Sequence, residues 1–246
     1  MKTKLHFASI IFIISFLIQA QQQPKGIVGT SNWMTNWTSF KPAANDYGEA
    51  TNIIAGTIDK DTRLAKRNIY HLVGVVYVTN NATLTIEPGT VIRGDDKTCG
   101  TLVITNGAKI IAEGLETDPI IFTSENEINN RKPGDWGGII VLGKAPINSL
   151  GGIHTLPFDL DPTLNHYGGQ DPEDNSGIIK YVRIEYAGRK LSASKELNGL
   201  SLAGVGRKTI VSHVQVSFSN DDSFECYGGD LNLSNLVSFR TTDDDF

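Results

Sequence analysis

The 246-residue sequence is poor in cysteine, methionine and tryptophan, with 2, 2 and 3 of each. Two cysteines cannot build a disulfide framework or a four-thiolate metal site. Charge of one sign is not in excess either: 22 Lys+Arg against 27 Asp+Glu leave a net charge of −5. No basic patch interrupts this mild acidity, which argues against nucleic acid as a partner. Helix signals are nearly absent after Ile53. Catalytic signatures are missing as well: there is no His-Glu-x-x-His, no Gly-x-Ser-x-Gly and no paired Cys-x-x-Cys. Ser192-Ala193-Ser194-Lys195 fits a Ser-x-x-Lys pattern, but no Ser-Asp-Asn or Lys-Thr-Gly accompanies it. Gly204-Val205-Gly206-Arg207-Lys208-Thr209 lacks phosphate-loop spacing and leads into a strand rather than a helix. Cys99 and Cys226 are far apart in sequence, and no bridge between them is expected.

What is present begins with an address. Lys2 and Lys4 precede an apolar run from Ser9 to Ile18, and Ala20 offers a small residue for cleavage. Residues 1–20 read as a secretory signal peptide. Even counted from Leu5 to Ile18, about 14 mostly apolar residues fall short of the roughly 20 needed to span a bilayer. No other segment could span one, so the mature chain is expected to be exported without a membrane span.

The body of the chain is a succession of short apolar strands punctuated by Gly, Asn and Pro. Val75 to Val78, Ala82 to Ile86, Leu102 to Ile104 and Ile120 to Thr123 are examples. The strands repeat: His213 to Phe224 aligns with Asn235 to Phe246 at an offset of 22 residues. Asn198-Gly199-Leu200 aligns with Asp222-Ser223-Phe224 at an offset of 24. One coil of a three-stranded parallel β-helix takes about this many residues, within the range of roughly 20–45 for solenoid repeats. Residues 53–246 are therefore predicted to form an all-β, three-sheet solenoid. Residues 21–52, with Trp33, Trp37 and Phe40 among polar neighbours, are expected to form an N-terminal cap over the open first coil. Residues 148–175, rich in Gly, Pro and Asp, are expected to leave the coil as a long loop. The sequence stops in mid-repeat at Asp243-Asp244-Asp245-Phe246, so a β-helix truncated at its C-terminus is expected.

These strands carry a family likeness. Leu84-Thr85-Ile86-Glu87-Pro88-Gly89-Thr90-Val91-Ile92, Gly134-Asp135-Trp136-Gly137-Gly138 and Tyr181-Val182-Arg183-Ile184-Glu185-Tyr186-Ala187-Gly188 resemble secreted right-handed parallel β-helix proteins of Bacteroidota. The likeness covers about residues 33–246 and continues through Tyr167-Gly168-Gly169 and Asp221-Asp222-Ser223-Phe224-Glu225. It implies a right-handed coil and a secreted or outer-surface location, often as type IX secretion cargo. It implies no defined activity. Where such relatives carry Trp in a Phe-Glu-Trp-Phe-Gly-Gly stretch, this sequence has Cys226.

The sharpest chemical feature is acidic. A 22-residue coil stacks Asp221 on Asp243 and Asp222 on Asp244, one strand spacing of about 4.8 Å apart. Carboxylates so close repel unless a cation, a shared proton or water intervenes. Three readings are open: Asp side chains capping a solvated turn, a Ca²⁺ site at Asp221, Asp222, Asp243 and Asp244, or a carbohydrate cleft. The turn is similar to the Asp-Asp turn of polygalacturonases, but that family's His-Gly and Arg-Ile-Lys elements are missing. Candidate ligand-binding residues are Trp136, flanked by glycines, and Arg183 and His213, both expected to face outward from strands. Trp136 reads more readily as a plug at a corner of the coil than as a sugar-stacking platform. No catalytic residue is assigned. The expected function is that of a non-catalytic surface scaffold or adhesin-like binder of a glycan or cell-surface ligand. The alternative is a polysaccharide lyase or glycoside hydrolase of the pectate-lyase-like β-helix type acting through the acidic turn. A purely structural stalk would show no pocket along its flank.

Overall fold

Alternation builds each strand: in Thr83–Ile86 the side chains of Leu84 and Ile86 are buried while Thr83 and Thr85 are half-buried. The computed structural model describes residues 32–246, so the predicted signal peptide and the first part of the predicted cap lie outside the described residues. The chain divides into units Met1–Trp33 and Met34–Phe246. Of the first, only Asn32 and Trp33 are described, with Trp33 opening a turn. Everything below concerns the second.

The strands stack into three parallel ladders, which make a right-handed parallel β-helix. Inward rows run along each ladder. In the first sheet Tyr70, Ile92, Phe122, Ile184 and Val216 lie in register. In the second, Val76, Leu102, Ile139, Leu200 and Phe224 do so. In the third, Leu64, Ile86, Ala112, Ile179, Val211 and Leu233 form the row. The three rows meet in one continuous apolar core. The predicted offsets are the observed ones, since Val214 pairs with Leu236 and Leu200 with Phe224.

Corners between the third and first sheets are single residues with positive φ: Tyr181 at 50°, His213 at 54° and Asn235 at 54°. One left-handed residue turns the chain between sheets without breaking the stack. Tyr181 and His213 therefore lie ring over ring, with centroids 4.6 Å apart.

Two segments differ from expectation. The described part of the predicted cap does not close the end of the coil. It runs as a strap along the outer face of the first sheet. Phe40 meets Phe239 edge-on at 5.0 Å. Ser39 and Gln215 exchange two 2.8 Å hydrogen bonds. Further along, the Tyr47 hydroxyl donates to Glu185 at 2.9 Å, and Thr51 N–H reaches the Ile69 carbonyl at 2.8 Å. The reason lies in the face beneath it, where Arg93, Thr123, Arg183, Glu185 and Gln215 point outward and need partners. The strap supplies some of those partners, and its Trp37 is wholly buried against Tyr181 and His213.

The predicted loop at 148–175 does leave the coil, but it contains an antiparallel pair, Ile153–Thr155 with His166–Gly168. It folds back over the outer face of the second sheet. Leu156, Phe158 and Tyr167 pack there on Val103, Ile140, Leu142 and Ala203. A second, smaller hairpin, Lys190–Ser192 with Lys195–Glu196, rises from the next coil.

Candidate functional site

The acidic corner lies where the chain turns from the first sheet to the second. The first-sheet strands end at Ser217 and Phe239, and the next second-sheet strand starts at Phe224. The two bends stack in the predicted register. Thr242 N–H donates to the Ser219 carbonyl at 3.0 Å and Ser223 N–H to the Asp244 carbonyl at 3.1 Å. Asp244 N–H also reaches Asp222 Oδ1 at 3.2 Å, and Thr241 Oγ1 donates to the Asp221 carbonyl at 2.7 Å.

Stacking brings the side chains together in two overlapping groups. Oxygens of Glu196, Asp221 and Asp243 lie within 4.8 Å of one another, and so do those of Asp222, Asp243 and Asp244. Asp243 belongs to both groups. Glu196 comes from the small hairpin and is a member that sequence reasoning missed. Burial, then the neighbouring Asp222, Glu196, Asp243 and Glu225, push the Asp221 carboxyl from 3.8 up to about 6. Asp222 is pushed up as well, by burial and then by Glu225, although the Asp244 N–H bond pulls the other way. Lys190, which lines the space beside Asp221, is held by Glu196. An all-oxygen, half-exposed donor set of this kind suits a hard cation such as Ca²⁺.

Beside this corner the second sheet's flank is hollow. Asp221 lines a cavity of about 310 Å³ with Pro157, Phe158, Lys190, Lys195 and Tyr227. A larger cavity of about 580 Å³ continues on the other side of Tyr227, against Ile147, Asn148, Ser149 and Tyr167.

The family described as pectate-lyase like beta helix domain matches residues 56–246. The chain belongs to that family. No curated protein and no solved structure matches it.

In this pectate-lyase like beta helix, the other predicted site residues are placed apart from the acidic corner. Trp136 is 0 % exposed and presents no face to a ligand. It stacks on Phe122 at 6.2 Å and donates its indole N–H to the Glu185 carbonyl at 2.7 Å. Gly94 makes room for it: a Cβ there would stand 2.5 Å from the indole. Trp136 is thus a core plug rather than a sugar platform.

Arg183 does face outward, as expected, but beneath the strap. Its Nε lies 3.7 Å from Glu185 Oε1, and its Nη2 donates to the Tyr47 hydroxyl at 3.3 Å. Glu185 is 1 % exposed and also accepts from Thr123 Oγ1 at 2.9 Å. Burial pushes its carboxyl up, against the pull of Arg183. His213 lies half-buried between Trp37 at 5.8 Å and Tyr181 at 4.6 Å. Burial, then Lys180, push its pKa down, while Glu116 pulls the other way. Arg183 and His213 thus lie on the strapped face of the first sheet, beside Tyr47, Tyr181 and Trp37.

Among the described residues no helix is long and apolar enough to cross a membrane. Cys99 and Cys226 are both free thiols.

Proposed function

We propose that this chain is an exported, non-catalytic β-helix that binds a glycan or a cell-surface ligand. The observation that carries the reading is the hollow flank of the second sheet, which a plain stalk would not need. Support against chemistry comes from Arg183, Glu185 and His213. Each is engaged beneath or against the strap, so none is offered to a substrate beside the acidic corner. Export rests on the Lys2 and Lys4 start, the apolar run to Ile18 and the likeness to secreted surface proteins of Bacteroidota carried by type IX secretion. Asp221, Asp222, Asp243 and Asp244, joined by Glu196, would take Ca²⁺ on this reading.

The test is release of new reducing ends from a polysaccharide panel by the full mature protein, with and without Ca²⁺, alongside a pull-down on the same polymers. Binding without release is the expected outcome.

A second reading, a polysaccharide lyase or glycoside hydrolase, is favoured by one observation. Asp221, shifted to about 6 beside a cavity, is poised to give or take a proton near neutral pH. Release that disappears in Asp221→Asn and Asp222→Asn would establish that reading and overturn the first.

A further inference from the structure

We propose that the ligand site is the pair of cavities astride Tyr227 on the second sheet's outer flank, and that it takes a neutral oligosaccharide. This rests on the glycan-binding reading above and gives it a place and a chemical class.

Tyr227 lines both cavities, one of about 580 Å³ and the other of about 310 Å³. Each falls in the size range of small-molecule sites, roughly 300–1,000 Å³. Its ring is fixed before any ligand arrives. Phe158 meets it edge-on at 6.4 Å and Tyr167 packs at a tilt at 6.3 Å. Its hydroxyl takes a 3.4 Å hydrogen bond from Asn198 Nδ2, which also donates to Glu225 at 2.8 Å. A pre-positioned aromatic face loses little rotamer freedom when a sugar ring's C–H face settles on it.

The coil itself leaves this space open. Tyr227 stands in register with Ala203, whose small side chain keeps the preceding coil low. Gly228, at φ +69°, approaches Ile147 so closely that a Cβ would lie 2.9 Å away. Any other residue would press on the cavity wall. Around the ring, Asn148 and Ser149 on one side and Asp221 and Glu196 on the other provide hydrogen-bonding groups for sugar hydroxyls.

Charge sets the class. The two lysines at the smaller cavity are already engaged, Lys190 by Glu196 and Lys195 by Asp159 at 2.6 Å. The acidic corner continues from Asp221 to Asp222, Asp243 and Asp244. With no cation bound there, as in EDTA, a polymer of uronic acids or sulfated sugars would meet like charge, whereas a neutral glycan would not.

The experiment is affinity electrophoresis of the full mature chain in EDTA. The gels carry mixed-linkage β-glucan, xyloglucan, galactomannan or polygalacturonate. Retardation by a neutral polymer and not by polygalacturonate is expected. Tyr227→Ala should weaken it by about tenfold or more, the scale of a central contact residue, while Tyr227→Phe keeps it. Asn148→Trp and Ala193→Trp place an indole at the rim of each cavity from exposed loop positions, so they test the site without disturbing the core. Both should also abolish retardation. If the chain binds a neutral polymer but the Tyr227→Ala and Trp variants bind as well as wild type, the site is overturned and the glycan-binding reading survives. Equal or tighter binding to polygalacturonate overturns the neutral class. Retardation by none of the polymers overturns the proposal and the glycan-binding reading together.

Discussion

Replacing Asp221 by Asn should stabilise the protein at pH 8 and leave it unchanged at pH 3. The acidic corner packs carboxylate oxygens within 4.8 Å of one another. At that distance two charges repel by about 1 kcal/mol in bulk water and by about 3 kcal/mol at an effective dielectric near 20. The same repulsion and burial raise the Asp221 carboxyl from 3.8 to about 6. A shift of that size corresponds to about 3 kcal/mol in full. The side chain is only partly buried, so solvent screening brings the expected effect to about 1 kcal/mol. In the folded chain Asp221 holds its proton to a higher pH than in the unfolded chain. Folding is therefore favoured at low pH, and that advantage is lost as the pH rises from about 4 to about 6. Above that window the ionised Asp221 is a constant burden that the Asn variant does not carry. The assay is urea denaturation of wild type and variant in EDTA at a series of pH values. The difference between the two should grow through the window and level off near 1 kcal/mol in favour of Asn. A difference that stays flat with pH, or a variant less stable at pH 8, would refute the electrostatic account of this corner.

Three further outcomes are expected. Millimolar Ca²⁺ should raise the melting temperature of the full mature protein over that in EDTA, and Asp243→Asn, which touches both carboxylate groups, should remove the increase; an unchanged melting temperature in wild type means no structural Ca²⁺ site. Trp37→Ala should cost about 3–5 kcal/mol, the range for deleting a buried aromatic, and should speed chymotryptic cleavage after the exposed Phe40; cleavage no faster than in wild type would show that Trp37 does not hold the strap. Gly94→Ala should cost about 1–3 kcal/mol by overpacking against Trp136, read by chemical denaturation, and a neutral result would mean that the indole has room to move.

Much of the coil was legible in the residues. The 22-residue offset between Asp222 and Asp244 reappears as a hydrogen bond between those two residues. Parallel stacking makes this possible, because each position sits on its equivalent one coil earlier and imposes the same chemical demand. Alternation then fixed which side chains face the core, and Arg183 was placed on the outward face correctly. What escaped was the fate of that face. Nothing local to Arg183 or His213 says that a segment some 140 to 180 residues earlier will lie over them. Trp136 was ambiguous for a related reason, since flanking glycines permit both an exposed platform and a buried plug. The choice belongs to Phe122 and Gly94 on neighbouring strands. The inserted hairpin was hidden because its strands, Ile153–Thr155 and His166–Gly168, have only three residues each, too few to show the alternation that marks a strand.

The sequence by itself thus determined the repeat, its inward rows and the stacking of Asp221 on Asp243 and Asp222 on Asp244. Those features depend on neighbours within one coil and on the same position in the next. Only the tertiary structure decided that the N-terminal segment is a flank strap, that Glu196 joins the acidic corner and that Tyr227 lies between two cavities. Each of these depends on contacts between segments far apart in the chain, such as the 176 residues that separate Ser39 from Gln215. Such contacts follow from how the coils and insertions pack, and no local pattern encodes them.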